Sequence, residues 1–265
     1  MNGLTTHLTG LRADHRKALV AFLTAGYPND TAFDDLVRAA DDAGCDVIEV
    51  GIPFSDPIAD GPAIQAASTA ALAHGVTLHT ALDRIAELSD RTRAALVIMS
   101  YINPILRLGV DAFAARAAEA GVRGVILPDV SYEESGAFRP ALNSRSLSYI
   151  DLVAPTSGEE RIRSIARESE GFVYVVSVTG VTGARSSVSA ELPALIGGVR
   201  KVTDTPVYVG FGVSTPEQAA EVARQSDGVI IGSRLMRLAG EGDAAGAGRR
   251  VGDFLATARR AIDQS

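Results

Sequence analysis

The 265-residue chain has almost no cysteine, since Cys45 is the only one. A single thiol cannot form an intramolecular disulfide, which excludes a disulfide-stabilised scaffold and is typical of a reducing compartment. We expect Cys45 to be a buried free thiol. The chain also lacks a basic run to offset its net charge of -7. Nothing in the sequence therefore attracts a nucleic-acid backbone or an anionic membrane surface.

Long apolar runs are missing as well. The first 17 residues are polar and mixed in charge, and the apolar runs elsewhere are far too short to cross a membrane. We therefore expect a cytosolic protein. The four histidines lie in the first third of the chain, without HExxH or paired Cys/His spacing, so the sequence predicts no metal site.

The residues that are present suit one large domain. Hydrophobic residues make up 46% of the chain and charged residues 22%, enough for a full core. Short β-branched runs alternate with amphipathic segments, which is the pattern of parallel strands joined by helices. The eight predicted strands are Ala18–Thr24, Asp46–Ile52, Ala95–Tyr101, Gly124–Pro128, Ser148–Ala154, Phe172–Val178, Pro206–Gly210 and Gly228–Gly232.

Near-continuous hydrophobicity in these strands implies burial on both faces. The length is also close to the roughly 250 residues of one barrel. We therefore predict an α/β protein, a single-domain (β/α)8 TIM barrel spanning residues 1–265. A doubly wound open sheet is the alternative, although no GxGxxG motif follows the first strand.

The ends of several helices can also be predicted. Thr215 and Pro216 provide an N-cap and a first helical residue directly after strand seven. Gly75 and Gly121 lie where helices should end. The segment 61–93 is long enough for two helices with a break near Gly75, and residues 244–263 should form the last helix.

Glu49 is the main catalytic candidate, because it lies within an apolar strand. Burial of a carboxylate is costly and should raise its pKa from about 4.3 into the range of a general acid or base. The alternative is a structural glutamate that forms an ion pair with a neighbouring strand.

Asp56 and Asp60 follow in a loop that three prolines stiffen. A second carboxylate near the first would let one site handle two protons or stabilise a cation. Both residues are also ordinary turn formers. The loop sequence does not choose between them.

Three glycine motifs follow strands six, seven and eight, and they are Thr179–Gly183, Gly210–Ser214 and Gly232–Ser233. Glycine lets backbone amides approach an anion closely, and barrels bind phosphate after strands seven and eight. Each motif alone is compatible with a tight turn. Their coincidence predicts a sugar-phosphate substrate.

Four motifs together resemble the tryptophan synthase alpha family, and they are Phe22–Pro28, Glu49–Gln65, Gly180–Gly183 and Gly210–Ser214. The resemblance covers almost the whole chain in order, and Glu49–Gln65 is its most specific part. It implies a TIM-barrel lyase that splits indole-3-glycerol phosphate into indole and glyceraldehyde 3-phosphate. This retro-aldol cleavage needs neither a metal nor a Schiff base.

The resemblance also implies residue roles. Glu49 is the general acid/base, and Asp60 pairs with the indole N–H and stabilises the cationic indolenine. The indole would be surrounded by Phe22, Ile64, Met99, Tyr101, Ile126, Leu152, Tyr174 and Phe211. Core packing is the alternative for Ile126 and Leu152.

The phosphate would be bound by backbone amides of Gly183, Phe211, Gly212, Gly232 and Ser233. Thr182 would belong to a mobile lid, at about residues 178–191, that closes over the substrate and contacts Asp60. The Gly, Ser and Arg content of this segment is compatible with such a lid.

The resemblance further implies a partner, a tryptophan synthase beta chain in an alpha-beta-beta-alpha complex. Pyridoxal phosphate is expected only in that beta chain, so we predict no cofactor here. The contact positions would be Pro53, Asp56, Pro57, Asn103 and Pro104.

Three positions depart from the family pattern. Ser131 stands where proline is usual, Asp151 interrupts a strand that is usually more apolar, and Met99 is a variable pocket position.

Three other functions remain open at this point. They are a free-standing lyase without a beta chain, a weak barrel that only activates a beta chain, and a sugar-phosphate isomerase.

Overall fold

A computed structural model describes residues 3–176, 192–210 and 212–265. In these residues, parallel strands alternate with helices along the chain. The strands are β1 Ala18–Thr24, β2 Val47–Gly51, β3 Ala95–Met99, β4 Gly124–Ile126, β5 Ser148–Ile150, β6 Leu152–Val153, β7 Val173–Val176, β8 Val207–Gly210 and β9 Gly228–Ile231.

The strands form one parallel sheet in the order β5-β4-β3-β2-β1-β9-β8-β7-β6. The two terminal strands in this order, β5 and β6, are consecutive pieces of one strand and are separated only by Asp151. The sheet therefore closes on itself with eight strand positions. The predicted (β/α)8 barrel is confirmed.

The helices cover the outside of the barrel and close its ends. They are α1 Gly3–Ala13, α2 Asp30–Asp42, α3 Pro62–Ala73, α4 Leu78–Ser89, α5 Ile102–Leu108, α6 Val110–Glu119, α7 Tyr132–Ser135, α8 Arg139–Asn143, α9 Glu159–Glu168, α10 Leu192–Arg200, α11 Pro216–Gln225, α12 Ser233–Gly240 and α13 Ala247–Asp263. A short 3-10 helix, Ala244–Gly246, precedes α13. No helix in the described part of the chain is long and apolar enough to span a membrane.

The predicted helix ends are confirmed. The Thr215 hydroxyl accepts a hydrogen bond from the backbone N–H of Gln218 at the start of α11. Gly75 and Gly121 have φ of 82° and 81°, a left-handed conformation that glycine adopts without strain and that ends α3 and α6. Ser131 begins α7 with a capping box, in which its backbone N–H donates to the Glu134 carboxylate at 3.3 Å; the Ser131 hydroxyl donates to the same carboxylate. The serine that replaces the usual proline thus starts a helix.

The predicted strand bounds were less accurate. Only Ala18–Thr24 matches in full, and the other described strands are shorter by one or more residues. The largest difference is at Asp151, where the predicted strand Ser148–Ala154 is divided in two. The charged side chain of Asp151 forms its ion pair outside the hydrogen-bond ladder of the sheet.

The barrel interior is filled by an apolar cluster of inward-facing strand residues and residues of α1. We call this the interior cluster: Leu4, Leu8, Leu11, Ala18, Val20, Val47, Val97, Ile126, Ile150, Phe172, Tyr208 and Ile230. A Cβ on Gly124 or Gly171 would lie about 3 Å from Leu4, so these glycines make room for α1. The sequence analysis did not identify α1, although leucines at positions 4, 8 and 11 have helical spacing.

Buried aspartates reinforce the amino-terminal end of the barrel. Asp46, just before β2, accepts a hydrogen bond from the backbone N–H of Leu19 in β1 and pairs with Arg16 and Arg259. Structural features at this end of a TIM barrel serve stability, whereas the active site forms at the carboxyl end.

Candidate active site

Glu49 lies in the middle of β2, opposite Phe22 of β1, and is completely buried. Neither of its carboxyl oxygens has a hydrogen-bond partner among the described residues. Burial, and then the nearby charge of Asp60, raise the pKa of Glu49 to about 8. The described residues provide no cation for the alternative, a structural ion pair, so Glu49 is a neutral acid at pH 7.

Asp60 is half-buried in the loop between β2 and α3. Burial raises its pKa to about 6, and a hydrogen bond from Tyr101 opposes that shift. The Tyr101 hydroxyl also accepts a hydrogen bond of 2.9 Å from the backbone N–H of Ala59. The Gln65 side chain donates to the carbonyl oxygen of Asp60 at 2.8 Å. These contacts fix the loop so that its second aspartate faces Glu49.

Asp56, the other aspartate of the loop, is exposed and accepts a hydrogen bond from the hydroxyl of Ser55. The sequence left the choice between the two aspartates open. In the structure only Asp60 interacts electrostatically with Glu49. A protonated Glu49 beside an ionised Asp60 can donate a proton at one point and stabilise positive charge at another.

Aromatic side chains line the space around the two carboxyl groups. The Phe22 ring packs over Gly51, where a Cβ would lie 2.5 Å from the ring. Tyr174 of β7 faces both carboxyl groups, and burial together with the charges of Glu49 and Asp60 raises its pKa well above the usual value. Tyr101 stacks on Phe54 at 5.1 Å between ring centroids.

The predicted apolar residues differ in how accessible they are. Met99, Leu152 and Tyr174 are half-buried and pack against the interior cluster. Ile64 is half-buried on α3, whereas Ile126 is completely buried within the interior cluster. Because core packing accounts for Ile126, its contact with a substrate stays a prediction.

Two of the predicted phosphate-binding residues, Gly232 and Ser233, lie at the start of α12. This helix begins at Ser233, directly after β9, and Gly232 caps it without a side chain to bind the first amides. Gly212 has a φ of 55°, and a Cβ there would meet no atom within 4 Å. A Cβ on Gly61 would lie 3.8 Å from the Ser233 hydroxyl. Amides at the start of a helix favour an anion, and the contact with Gly61 puts this helix start next to the Asp60 loop.

Several predicted site residues cannot be placed. Thr182, Gly183 and the predicted lid at residues 178–191 lie outside the described residues, and so does Phe211. Within residues 3–176, 192–210 and 212–265, no cluster of three His, Cys, Asp or Glu side chains could hold a metal ion.

The predicted partner positions lie in the loop after β2 and in α5, the helix that follows β3. Asp56 and Asn103 are exposed, and Pro57 and Pro104 are half-buried. Pro53 is buried, so the structure places it beneath this surface and not on it.

Two exposed apolar residues in the same two segments were not predicted. Ile58 is 84% exposed and Leu106 is 53% exposed, and they are the large apolar side chains exposed to this degree in the described part of the chain. The available signal was an isoleucine between Pro57 and Ala59 in a loop that is otherwise polar or small.

Comparison with known proteins identifies the family of the chain. The statistical model of the family described as tryptophan synthase alpha chain matches residues 8–261. The chain belongs to the tryptophan synthase alpha chain family. Curated relatives support this family over nearly the full length. The tryptophan synthase alpha chain of Geobacter sulfurreducens is 47% identical over 252 residues, covering 95% of this chain and 96% of that protein. The alpha chain of Picosynechococcus is 43% identical over 263 residues, covering 99% and 100%.

Solved structures of tryptophan synthase give the same fold. A chain of the Mycobacterium tuberculosis tryptophan synthase superposes with a TM-score of 0.90 at 40% identity, and 98% of each chain is covered. Tryptophan synthase subunit alpha from Legionella pneumophila superposes with a TM-score of 0.90 at 35% identity over the full length of both chains. The tryptophan synthase alpha fold is therefore confirmed for this chain.

Proposed function

We propose that this tryptophan synthase alpha chain cleaves indole-3-glycerol phosphate into indole and glyceraldehyde 3-phosphate. The observation that carries the proposal is the pair formed by Glu49 and Asp60. Their pKa values of about 8 and about 6 give one neutral and one ionised carboxyl group near pH 7. Protonation of an indole ring at carbon needs a proton donor beside a carboxylate that stabilises the positive charge formed.

The substrate fits the site in one orientation. The indole ring would lie against Phe22, Tyr174 and Leu152, above the interior cluster. The phosphate would be bound at Gly212 and the start of α12, where backbone amides and the positive end of the helix dipole favour an anion. The three-carbon chain between them would then pass Glu49.

The reaction follows from the two carboxyl groups. Glu49 gives its proton to C3 of the indole ring, and the positive charge spreads to the ring nitrogen, whose N–H donates to the Asp60 carboxylate. The Glu49 carboxylate, now buried beside another negative charge, is a strong base. It takes the proton of the hydroxyl on the carbon attached to C3. That carbon–carbon bond breaks, its electrons return to the ring to give indole, and the hydroxyl carbon becomes the aldehyde of glyceraldehyde 3-phosphate.

These steps use only acid–base chemistry of this chain, and we infer that pyridoxal phosphate belongs to a beta chain. A beta chain would dock on the loop after β2 and on α5, where Ile58 and Leu106 expose apolar surface beside Asp56 and Asn103. Apolar residues with a polar rim are typical of protein interfaces. Asp56 and Asp60 share one loop, so docking would be transmitted to the catalytic carboxylate.

The purified chain should be incubated with indole-3-glycerol phosphate, with and without a beta chain, while indole and glyceraldehyde 3-phosphate are measured. We expect equal amounts of both products and faster release with the beta chain. Glu49→Gln should lower turnover by about 10² to 10⁴ with little change in substrate binding. Wild-type turnover in a folded Glu49→Gln variant would contradict the mechanism. Activity that a bound beta chain leaves unchanged would indicate a free-standing lyase.

A further inference from the structure

Strand five of the barrel contains a charged residue at the point where it changes neighbours. β5 pairs only with β4, β6 pairs only with β7, and Asp151 separates the two. Side chains alternate along a strand, so Asp151 faces outward like Tyr149, while Ile150 and Leu152 face inward. Asp151 is only 4% exposed, and a buried carboxylate needs a partner.

Arg139, the first residue of α8, provides that partner. Its Nη2 donates to Asp151 Oδ1 at 2.5 Å, and its side chain is only 12% exposed. The guanidinium lies 4.4 Å from the centre of the Tyr149 ring and also donates to the Ser135 hydroxyl and the Glu168 carbonyl oxygen. A planar guanidinium held on several sides has one orientation. It therefore fixes Asp151 from outside the barrel.

Asp151 also contacts an active-site residue through its backbone. The Asp151 carbonyl oxygen accepts a hydrogen bond of 2.9 Å from the N–H of Tyr174. The next residue, Leu152, is the register partner of Tyr174 in β7. Tyr174 faces Glu49 and Asp60, and both Leu152 and Tyr174 pack against the interior cluster. An outward movement of Asp151 would therefore displace both.

We propose that Arg139 and Asp151 are positioning residues that fix Leu152 and Tyr174 as the wall for the aromatic half of the substrate. The proposal rests on the proposed function, since it assigns the ring of that substrate to this wall. It goes beyond the catalytic pair because neither residue touches the substrate. Asp151 is thus a departure from the family pattern that is compensated by a buried arginine.

The test compares two similarly buried ion pairs, one within strand five and one at the amino-terminal end of the barrel. Asp151→Asn breaks the pair with Arg139, and Asp46→Asn breaks the pair between Asp46 and Arg259, whose side chains are 4% and 11% exposed. Both variants remove the buried carboxylate from an arginine that keeps only a more exposed one, Glu168 at 3.9 Å for Arg139 and Asp263 at 2.6 Å for Arg259, so both should unfold at lower temperature. Only Asp151→Asn should weaken indole binding and raise KM for indole-3-glycerol phosphate, each about tenfold, with kcat changed less than KM.

Binding of glycerol phosphate provides a second readout and should be unchanged in both variants, because the anion site lies at Gly212 and α12. Should Asp151→Asn fail to fold, Arg139→Lys keeps the charge but loses the planar contacts, and it should raise the same constants by a smaller factor. Equal effects of Asp46→Asn and Asp151→Asn on indole binding, or none in either, would overturn the proposal. A wild type that binds indole but does not cleave indole-3-glycerol phosphate would overturn the proposed function alone. A wild type that does not bind indole would overturn both the proposed function and the role of Arg139 and Asp151.

Discussion

Replacement of Glu49 by glutamine should make the protein more stable at neutral and alkaline pH. Glu49 is completely buried without a hydrogen-bond partner, and its pKa is raised from 4.5 to about 8. Between these two pH values the unfolded chain releases the proton of Glu49, while the folded chain retains it. Stability therefore falls as pH rises through this window. Glutamine has nearly the same size and cannot ionise, so Glu49→Gln removes this loss.

The magnitude follows from the pKa shift. Each pH unit between the unfolded and folded pKa values costs about 1.4 kcal/mol. From pH 5 to pH 8 the wild type should therefore lose about 3 to 4 kcal/mol more unfolding free energy than Glu49→Gln. The informative quantity is how much the stability difference between the two proteins changes from pH 5 to pH 8. The buried amide of glutamine has a desolvation cost of its own, but that cost does not change with pH.

Urea denaturation of both proteins at pH 5, 7 and 8 measures this difference. Other groups that titrate in this range, including Asp60, are present in both proteins and largely cancel. The unfolding free energy of Glu49→Gln, relative to that of the wild type, should rise steadily from pH 5 to pH 8. Parallel dependence of stability on pH in the two proteins would show that Glu49 is ionised in the folded state. The acid role assigned to it would then fail.

Three further predictions concern the other parts of the site. Asp60→Asn should lower kcat at least about 100-fold with a smaller effect on KM. A change in KM as large as the change in kcat would indicate that substrate binding is lost instead. Gly212→Val should weaken glycerol phosphate binding, because valine is strained at a φ of 55° and its side chain would block close approach of an anion to the backbone, while indole binding stays as in the wild type; a loss of both would indicate misfolding. A beta chain should raise lyase activity at least about tenfold, and Asp56→Ala should lose that rise while keeping its basal rate. Titration of the beta chain against indole release measures the last effect, and an undiminished rise in Asp56→Ala would exclude that contact.

The barrel could be predicted from sequence because its strands are buried on both faces. Such strands are short, continuous apolar runs, and eight of them in order leave few alternatives. Glu49 was found by the same reasoning, as a carboxylate inside one of these runs. Its pKa shift was predicted in direction, because desolvation depends mainly on burial.

Other features depend on contacts between residues distant in sequence. Asp151 has no local signal for its partner, because Arg139 comes from a helix that was not predicted. The choice between Asp56 and Asp60 required the position of Tyr101, a residue more than 40 positions away. Pro53 was expected on the partner surface and is buried, since a loop sequence does not show which of its residues turn inward. Helix α1 was missed because its leucines acquire a partner only when the barrel closes.

The pH dependence of kcat/KM for indole-3-glycerol phosphate tests the account most directly, because it reports the ionisation of the catalytic groups in the free protein. With Glu49 at about 8 and Asp60 at about 6, cleavage should be fastest between these values. It should fall by about tenfold per pH unit on either side, as Asp60 gains its proton or Glu49 loses one. Absence of cleavage at every pH, or a rate that stays constant from pH 7 to pH 10, would contradict the account.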